Sequence, residues 1–296
     1  MKAEVLTRAL IVLLLLGLGT EALAQQVGDP SFDARVAQPA FVRRHPRLLF
    51  DEGHYNVHKS TTTYKAFVDL VTNDGFSVET NNRALTREIL APYQVLVIAG
   101  ALGAPLEDEA KAKAPAFTAA EIAAVRAWVQ RGGGLLLLTD HEPVSSAEAG
   151  LTRAFGIEPT GQVVVDEAHR FEGYYPSNIA ATRANGLLAE HALTAGVGRV
   201  VVFGGQSLRF PRKATILVRL GPGARNQDGG ALTGNGQAGA LWFGRGRVVV
   251  TGDMGMLSAQ LFTENGVTSP WGMNVPGVDN RQLVLNIGRW LARAAK

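Results

Sequence analysis

The chain contains no cysteine. That excludes a disulfide framework, a thiolate metal site, a thiol nucleophile and a start anchored through a lipidated cysteine. Charge is nearly balanced, with 29 basic residues against 26 acidic ones. Aromatics make up 7% of the chain and do not alternate with the cations, and Arg43-Arg44 is its single adjacent arginine pair, so a nucleic-acid-binding face is not expected. Beyond the first two dozen residues no apolar run approaches the ~20 residues of a spanning helix.

What is present begins with a leader pattern. Lys2 and Arg8 give a basic start, Ala9 to Leu18 an apolar core, and Ala22-Leu23-Ala24 a small-residue cleavage site before Gln25. This is the pattern of a secretory signal peptide over residues 1–24, which implies an exported protein, periplasmic or secreted, that is soluble and has no membrane span once the leader is cleaved. Residues 25–46 carry Pro30, Pro39 and Pro46 without a period and are expected to be an extended arm. Residues 47–296, in a chain that is 46% apolar, are long enough for one α/β domain with a large core.

From Arg47 strands and helices alternate. Arg47 to Phe50, Phe76 to Glu79, Val95 to Ile98 and Leu135 to Leu138 are expected strands, the last two apolar throughout, as in strands buried on both faces. Tyr64, Phe67, Val68 and Val71 recur at helical spacing before the turn at Asn73-Asp74-Gly75. Thr118-Ala-Ala-Glu121 is a capping box that opens a helix ending at Gly132. Ala147 to Phe155 is expected to be helical, Arg170 to Asn185 irregular, and Gly221 to Gly239 a mobile loop. Arg199 to Phe203, Ala214 to Leu220, Ala238 to Phe243 and Arg247 to Thr251 read as strands, the last two joined as a hairpin through Gly244-Arg245-Gly246. Asp279 is expected to cap a closing amphipathic helix. The expected fold is therefore a flavodoxin-like three-layer sandwich: a mostly parallel sheet with helices on both faces, plus the C-terminal β-hairpin.

In such sheets ligands bind outside the carboxyl ends of the strands. Three expected strands empty there into ionisable groups: Asp51-Glu52-Gly53-His54, Asp140-His141-Glu142 and Asp253. His54 and His58, four apart beside Asp51 and Glu52, could hold a divalent metal that generates a nucleophilic water, or could hydrogen-bond their own turn. His141 could act as a general base with a carboxylate fixing its tautomer, or Asp140 could simply cap a helix. Asp253 is either a site carboxylate or the cap of the following turn. Asp51, His54, Asp140, His141 and Asp253 are thus the catalytic candidates, with Glu52, Asn56, His58 and Glu142 as ligand-binding ones. Tyr174-Tyr175-Pro176 with Trp271 could present flat faces to a sugar ring, which makes Tyr175 and Trp271 ligand-binding candidates too. Asp166-Glu167 with His169 forms a weaker cluster, and His191 is expected to cap or pack.

The strand followed by Asp-x-Gly-His-x-Asn-x-His at 51–58, the run Gly132 to Leu138 entering a sharp polar turn, His191-Ala-Leu-Thr-Ala-Gly196, Gly244-x-Gly-Arg-Val-Val-Val-x-Gly-Asp253 and Asp279-Asn280 together resemble the class I glutamine amidotransferase-like superfamily. More narrowly they resemble its exported bacterial branch, near the gliding-motility and intraflagellar-transport type domains and the trehalose-utilisation-type domains. The resemblance spans about Arg47 to Ala295. Family glutaminases carry a cysteine on the turn that matches Thr139-Asp140-His141, so thiolate glutaminase chemistry is excluded here. Trehalose-utilisation-type relatives place a histidine near this turn, which His141 resembles. Two classes of function follow. One is an exported hydrolase or lyase acting on a carbohydrate or a similar small polar ligand, with or without a divalent metal cofactor. The other is a non-catalytic ligand-binding or assembly module with a protein partner at the cell envelope.

Overall fold

The computed structural model describes residues 25–292, and the expected leader over 1–24 lies outside the described residues. The first half of the chain runs β1 (Gln25–Gly28), β2 (Arg47–Asp51), α1 (Lys65–Asn73), β3 (Ser77–Asn81), α2 (Arg87–Leu90), β4 (Val95–Ala99), α3 (Glu109–Ala112), α4 (Ala119–Gln130), β5 (Gly134–Leu138) and α5 (Val144–Ala154). The second half is mostly strand: β6 (Glu158–Val165), β7 (Asn178–Thr182), β8 (Arg199–Phe203), β9 (Gln206–Arg209), β10 (Thr215–Arg219), β11 (Arg225–Asn226), β12 (Gly236–Phe243), β13 (Gly246–Thr251), β14 (Ala259–Glu264) and β15 (Val267–Gly272), closed by α6 (Asn280–Ala292).

Five strands run parallel in the order β3-β2-β4-β5-β13. Their side chains alternate between two cores, as the pleat requires. Leu48, Phe50, Val95, Val97, Leu136 and Leu138 meet α1 and α6 on one face. Leu49, Leu96, Ile98, Leu135 and Leu137 meet α4 and α5 on the other. Each such side chain taken from water contributes roughly 1.5–3 kcal/mol, so β4 and β5, buried along their whole length, anchor the fold.

Beyond β13 the sheet changes character. The expected hairpin is present, with β12 antiparallel to β13, but β10 and β9 also pair antiparallel with β12, β6 with β9, and β11 with β6. The sheet is mixed rather than mostly parallel. The reason lies in the connections: between α5 and α6 the chain forms only short 3-10 turns, and without a crossover helix a neighbouring strand must return antiparallel.

Two small sheets flank this one. β7, within the segment expected to be irregular, pairs with β8. β1 pairs with β14, and β14 with β15, so the arm starts as an edge strand. Its later residues Phe32, Val36 and Phe41 pack on the core, with Phe41 edge-on to Phe76 at 4.9 Å. The loop expected over 221–239 is tied down by β11 and by Asn235, whose N–H donates to the Leu208 carbonyl at 2.8 Å. Thr118 and Glu121 form the expected capping box of α4. Asp279 precedes α6, but its carboxylate turns away to accept the N–H groups of Gly198 and Arg199 at 2.7 and 3.0 Å.

Candidate functional site

Because Leu138 pairs with Thr251, β5 and β13 release their following residues side by side at the carboxyl edge of the sheet. Asp140 and Asp253 become neighbours there. Oδ2 of Asp140 accepts the N–H of Met254 at 3.0 Å, and Oδ1 accepts that of His141 at 2.8 Å. Asp253 accepts three backbone N–H groups, from Phe203 and Gly255 at 2.6 Å and Met256 at 3.1 Å, so it also staples β8 to the turn at 255–257. The two carboxyls stand in the wall of a cavity of about 410 Å³, which His58, His141, Glu142, Phe203 and Trp271 also line.

Burial pushes the Asp140 carboxyl up to about 6, against the opposing pull of the His141 charge and the two N–H donors. Burial, then the nearby Asp140 charge, pushes Asp253 well up as well. Two carboxyls so placed do not both ionise easily, and they titrate as a pair. Their exposures separate their roles. Asp253 is wholly buried, whereas the Asp140 side chain is 11% exposed and the His141 side chain 48%. Asp140 and His141 are thus the more exposed members of the group.

Nδ1 of His141 lies 2.9 Å from the Glu142 carbonyl, which makes it the protonated nitrogen. In the neutral ring Nε2 is then a lone-pair acceptor, 3.5 Å from Asp140 Oδ1. His58 is 4% exposed, its Nδ1 lies 2.8 Å from the Thr63 hydroxyl, and burial lowers it to about 4, so it is a neutral imidazole at neutral pH. Behind it the Tyr64 hydroxyl donates to the Met254 carbonyl at 2.5 Å.

Asp51 and His54 do not reach this cavity. They form a separate buried cluster in which His54 Nδ1 is 2.7 Å from Asp51 and Nε2 is 2.9 Å from Glu121, while the ring lies 4.4 Å from Phe117. Asn56 and Asn81 donate to the same Asp51 carboxylate at 3.3 and 3.0 Å. Burial disfavours the imidazolium, but Asp51 and then Glu121 outweigh it and raise the His54 value. Both ring nitrogens are therefore committed, and a metal shared by His54 and His58 does not fit. Among the described residues no three histidine or carboxylate groups are arranged to hold a metal ion.

The other candidates separate in the same way. Glu52 accepts from the N–H and hydroxyl of Ser60 at 2.7 and 2.5 Å. Asn56 braces the His54 turn, accepting the His54 N–H at 3.0 Å. Glu142 lines the cavity and accepts from Ser146 at 2.8 Å. Tyr175 lies outside the main cavity, with its hydroxyl on Glu264. His169 pairs with Asp166 at 2.7 Å away from the cavity, and His191 caps the 3-10 turn after it.

Three participants escaped sequence reading. Glu148 on α5 is fully buried, and its Oε1 accepts the Ala101 N–H at 2.7 Å. Burial first, with Asp140 and Asp51 adding to it, pushes its carboxyl well up and favours its neutral form. Its position, four residues after Val144 on the apolar stripe of α5, was a legible signal. Gln206 donates to the Asp140 carbonyl at 2.6 Å and accepts from Thr160 and Gly161. Glu121 was visible as a cap but not as the second partner of His54.

No protein-family model and no curated protein matches the sequence. Solved structures do match. The mmIFT52 N-terminal domain superposes with a TM-score of 0.61 at 16% identity, covering 83% of this chain and 97% of that one. A cytoplasmic protein from Salmonella typhimurium gives 0.51 at 13% identity over 83% of this chain and 98% of its own. A ThuA-like protein from Parabacteroides merdae gives 0.47 at 15% identity, covering 84% and 91%. At these identities the likeness to the first two is one of fold, and it is the one the motifs at 51–58, 132–138 and 244–253 resembled. The chain has the class I glutamine amidotransferase-like fold, built on a sequence without cysteine.

Proposed function

We propose that the cavity at the ends of β5 and β13 binds a small polar ligand, a carbohydrate or similar metabolite, and that Asp140 and His141 carry out acid-base chemistry on it, as in a hydrolase or lyase. The leader pattern over residues 1–24 supports an activity outside the cytoplasm. One observation carries the reading: Asp140, Asp253, His58 and His141 meet on one cavity of about 410 Å³ walled by Phe203 and Trp271. Buried carboxyls beside an accessible imidazole are what proton transfer at near-neutral pH needs. Asp140, raised to about 6, can give a proton to a leaving oxygen, while His141 Nε2 can take one from water or from a substrate carbon. Asp253 holds the loop on which both act. His58 offers an uncharged hydrogen-bonding group.

A non-catalytic ligand-binding or envelope-assembly module is the second reading. It is favoured by the five backbone N–H groups that Asp140 and Asp253 accept between them, since such staples serve folding as well as chemistry. The two are separated by screening the protein against chromogenic glycosides and polar esters alongside Asp140→Asn. Catalysis predicts a turnover that falls by roughly 100-fold or more in the variant while ligand binding persists. Binding without turnover in the wild-type protein would establish the module instead.

A further inference from the structure

A second hollow, about 290 Å³, lies next to the first and is lined by Tyr174, Tyr175, Phe262, Glu264, Ser269 and Trp271. Trp271 belongs to both. The register of the β14–β15 hairpin explains the continuity. Gln260 faces Trp271, Phe262 faces Ser269, and Glu264 faces Val267, and residues two apart on a strand share one side. One face of the hairpin is thus a track that starts in the acid-base cavity at Gln260 and Trp271 and leaves it along Phe262 and Ser269 to Glu264 and Val267. At about 3.4 Å per residue the track is roughly 14 Å long.

Its surface chemistry narrows what could lie on it. Tyr175 is 49% exposed and Val267 is 67% exposed. Yet Tyr175 is not loose: its hydroxyl is bound to Glu264, and the neighbouring Tyr174 hydroxyl donates to the Pro270 carbonyl at 3.0 Å. Phe262 and Trp271 lie 4.8 Å apart and continue the aromatic floor inward. Held aromatic faces edged by a carboxylate and a hydroxyl suit a ligand with both C–H faces and hydroxyl rims, which describes a saccharide ring better than a purely apolar molecule.

We infer that this track is a second saccharide subsite, so that the ligand of the cavity is an extended glycan, with one ring at Asp140 and the next on Tyr175, rather than a free monosaccharide. This rests on the proposed carbohydrate reading of the cavity. The test is an array presenting the same sugars as mono-, di- and trisaccharides, followed by calorimetry on the series that binds. The disaccharide should bind about tenfold more tightly than the monosaccharide, which is the scale of one added aromatic contact. Tyr175→Ala should erase that increment and Tyr175→Phe should keep it. Ser269→Trp, which fills the hollow without removing a contact, should erase it too and serves if Tyr175→Ala does not fold. Equal affinity along the series, an increment that survives both Tyr175→Ala and Ser269→Trp, or no glycan bound at all would each overturn the inference. Turnover of the same ligands by wild type and Asp140→Asn is scored separately. A length increment without turnover supports the subsite and removes the catalytic reading, whereas turnover without an increment does the reverse.

Discussion

Replacing His54 with alanine should destabilise the protein rather than disable its cavity. In the native state the ring makes two hydrogen bonds to carboxylates, at 2.7 and 2.9 Å, from a position 7% exposed. A charge-assisted bond of this kind contributes about 1.5–3 kcal/mol net, and removing one partner of a buried ion pair costs about 3–5 kcal/mol. The carboxylates left behind keep other donors, Asn56 and Asn81 on Asp51, and Leu85 and Thr118 on Glu121. That places the loss near the lower end, about 3 kcal/mol, or some 6–12 °C in melting temperature for a domain of this size. The pH dependence has a defined sign. His54 is raised above 6.5 in the fold, so its contribution is complete below 6.5 and is lost as pH rises through the folded value. Glu121 is lowered from 4.5 to about 2, despite its burial, by Thr118, His54 and Leu85, so its contribution is complete above 4.5 and is lost as pH falls towards 2. The gap between wild type and His54→Ala should therefore be widest between 4.5 and 6.5 and should narrow on both sides. Urea denaturation across that range measures it. A loss below about 1 kcal/mol, or a flat difference with pH, would refute the clamp and return His54 to the list of reacting groups.

Asp140 should show a stability loss of the same sign as His54, at lower pH. Its folded value of about 6 lies above the ordinary 3.8, so the fold should lose up to about 3 kcal/mol as pH rises through that interval, and Asp140→Asn should flatten this part of the denaturation curve. Glu148→Gln should be tolerated within about 1 kcal/mol because burial already favours the neutral carboxyl and an amide oxygen can still accept from Ala101; Glu148→Ala should cost about 2–3 kcal/mol in the same assay. Gly100→Ala should cost about 2–4 kcal/mol, since φ is +66° and a Cβ there would lie 2.3 Å from the Met254 sulfur. Because Met254 lines the cavity, that variant should also weaken ligand binding, read by calorimetry.

Where local pattern and tertiary packing agree, the reading from sequence held. The apolar runs of β4 and β5, the Thr118–Glu121 box and the glycine-linked hairpin of β12 and β13 were all visible, because period, caps and turn chemistry act over a few residues. The antiparallel half of the sheet was not, because strand direction there depends on which distant strand is met. β9 joins β6 to β12 through pairings that no local signal encodes. The motif at 51–58 shows the same division: the sequence placed acids and imidazoles together, but only packing decided that α4 would bring Glu121 onto His54 and seal it away.

By itself the sequence determined that the chain is an α/β domain without thiol chemistry, and that ionisable residues follow its buried strands. Period-two and period-three-point-six patterns and residue types suffice for that. The tertiary structure alone decided which of those groups share a cavity. The β5–β13 pairing joined Asp140 to Asp253, the β14–β15 hairpin carried Trp271 and Gln260 to their side, and burial set which carboxyl keeps its proton. Contact between residues more than a hundred positions apart, and the desolvation that accompanies it, belong to the fold and not to any stretch of the chain.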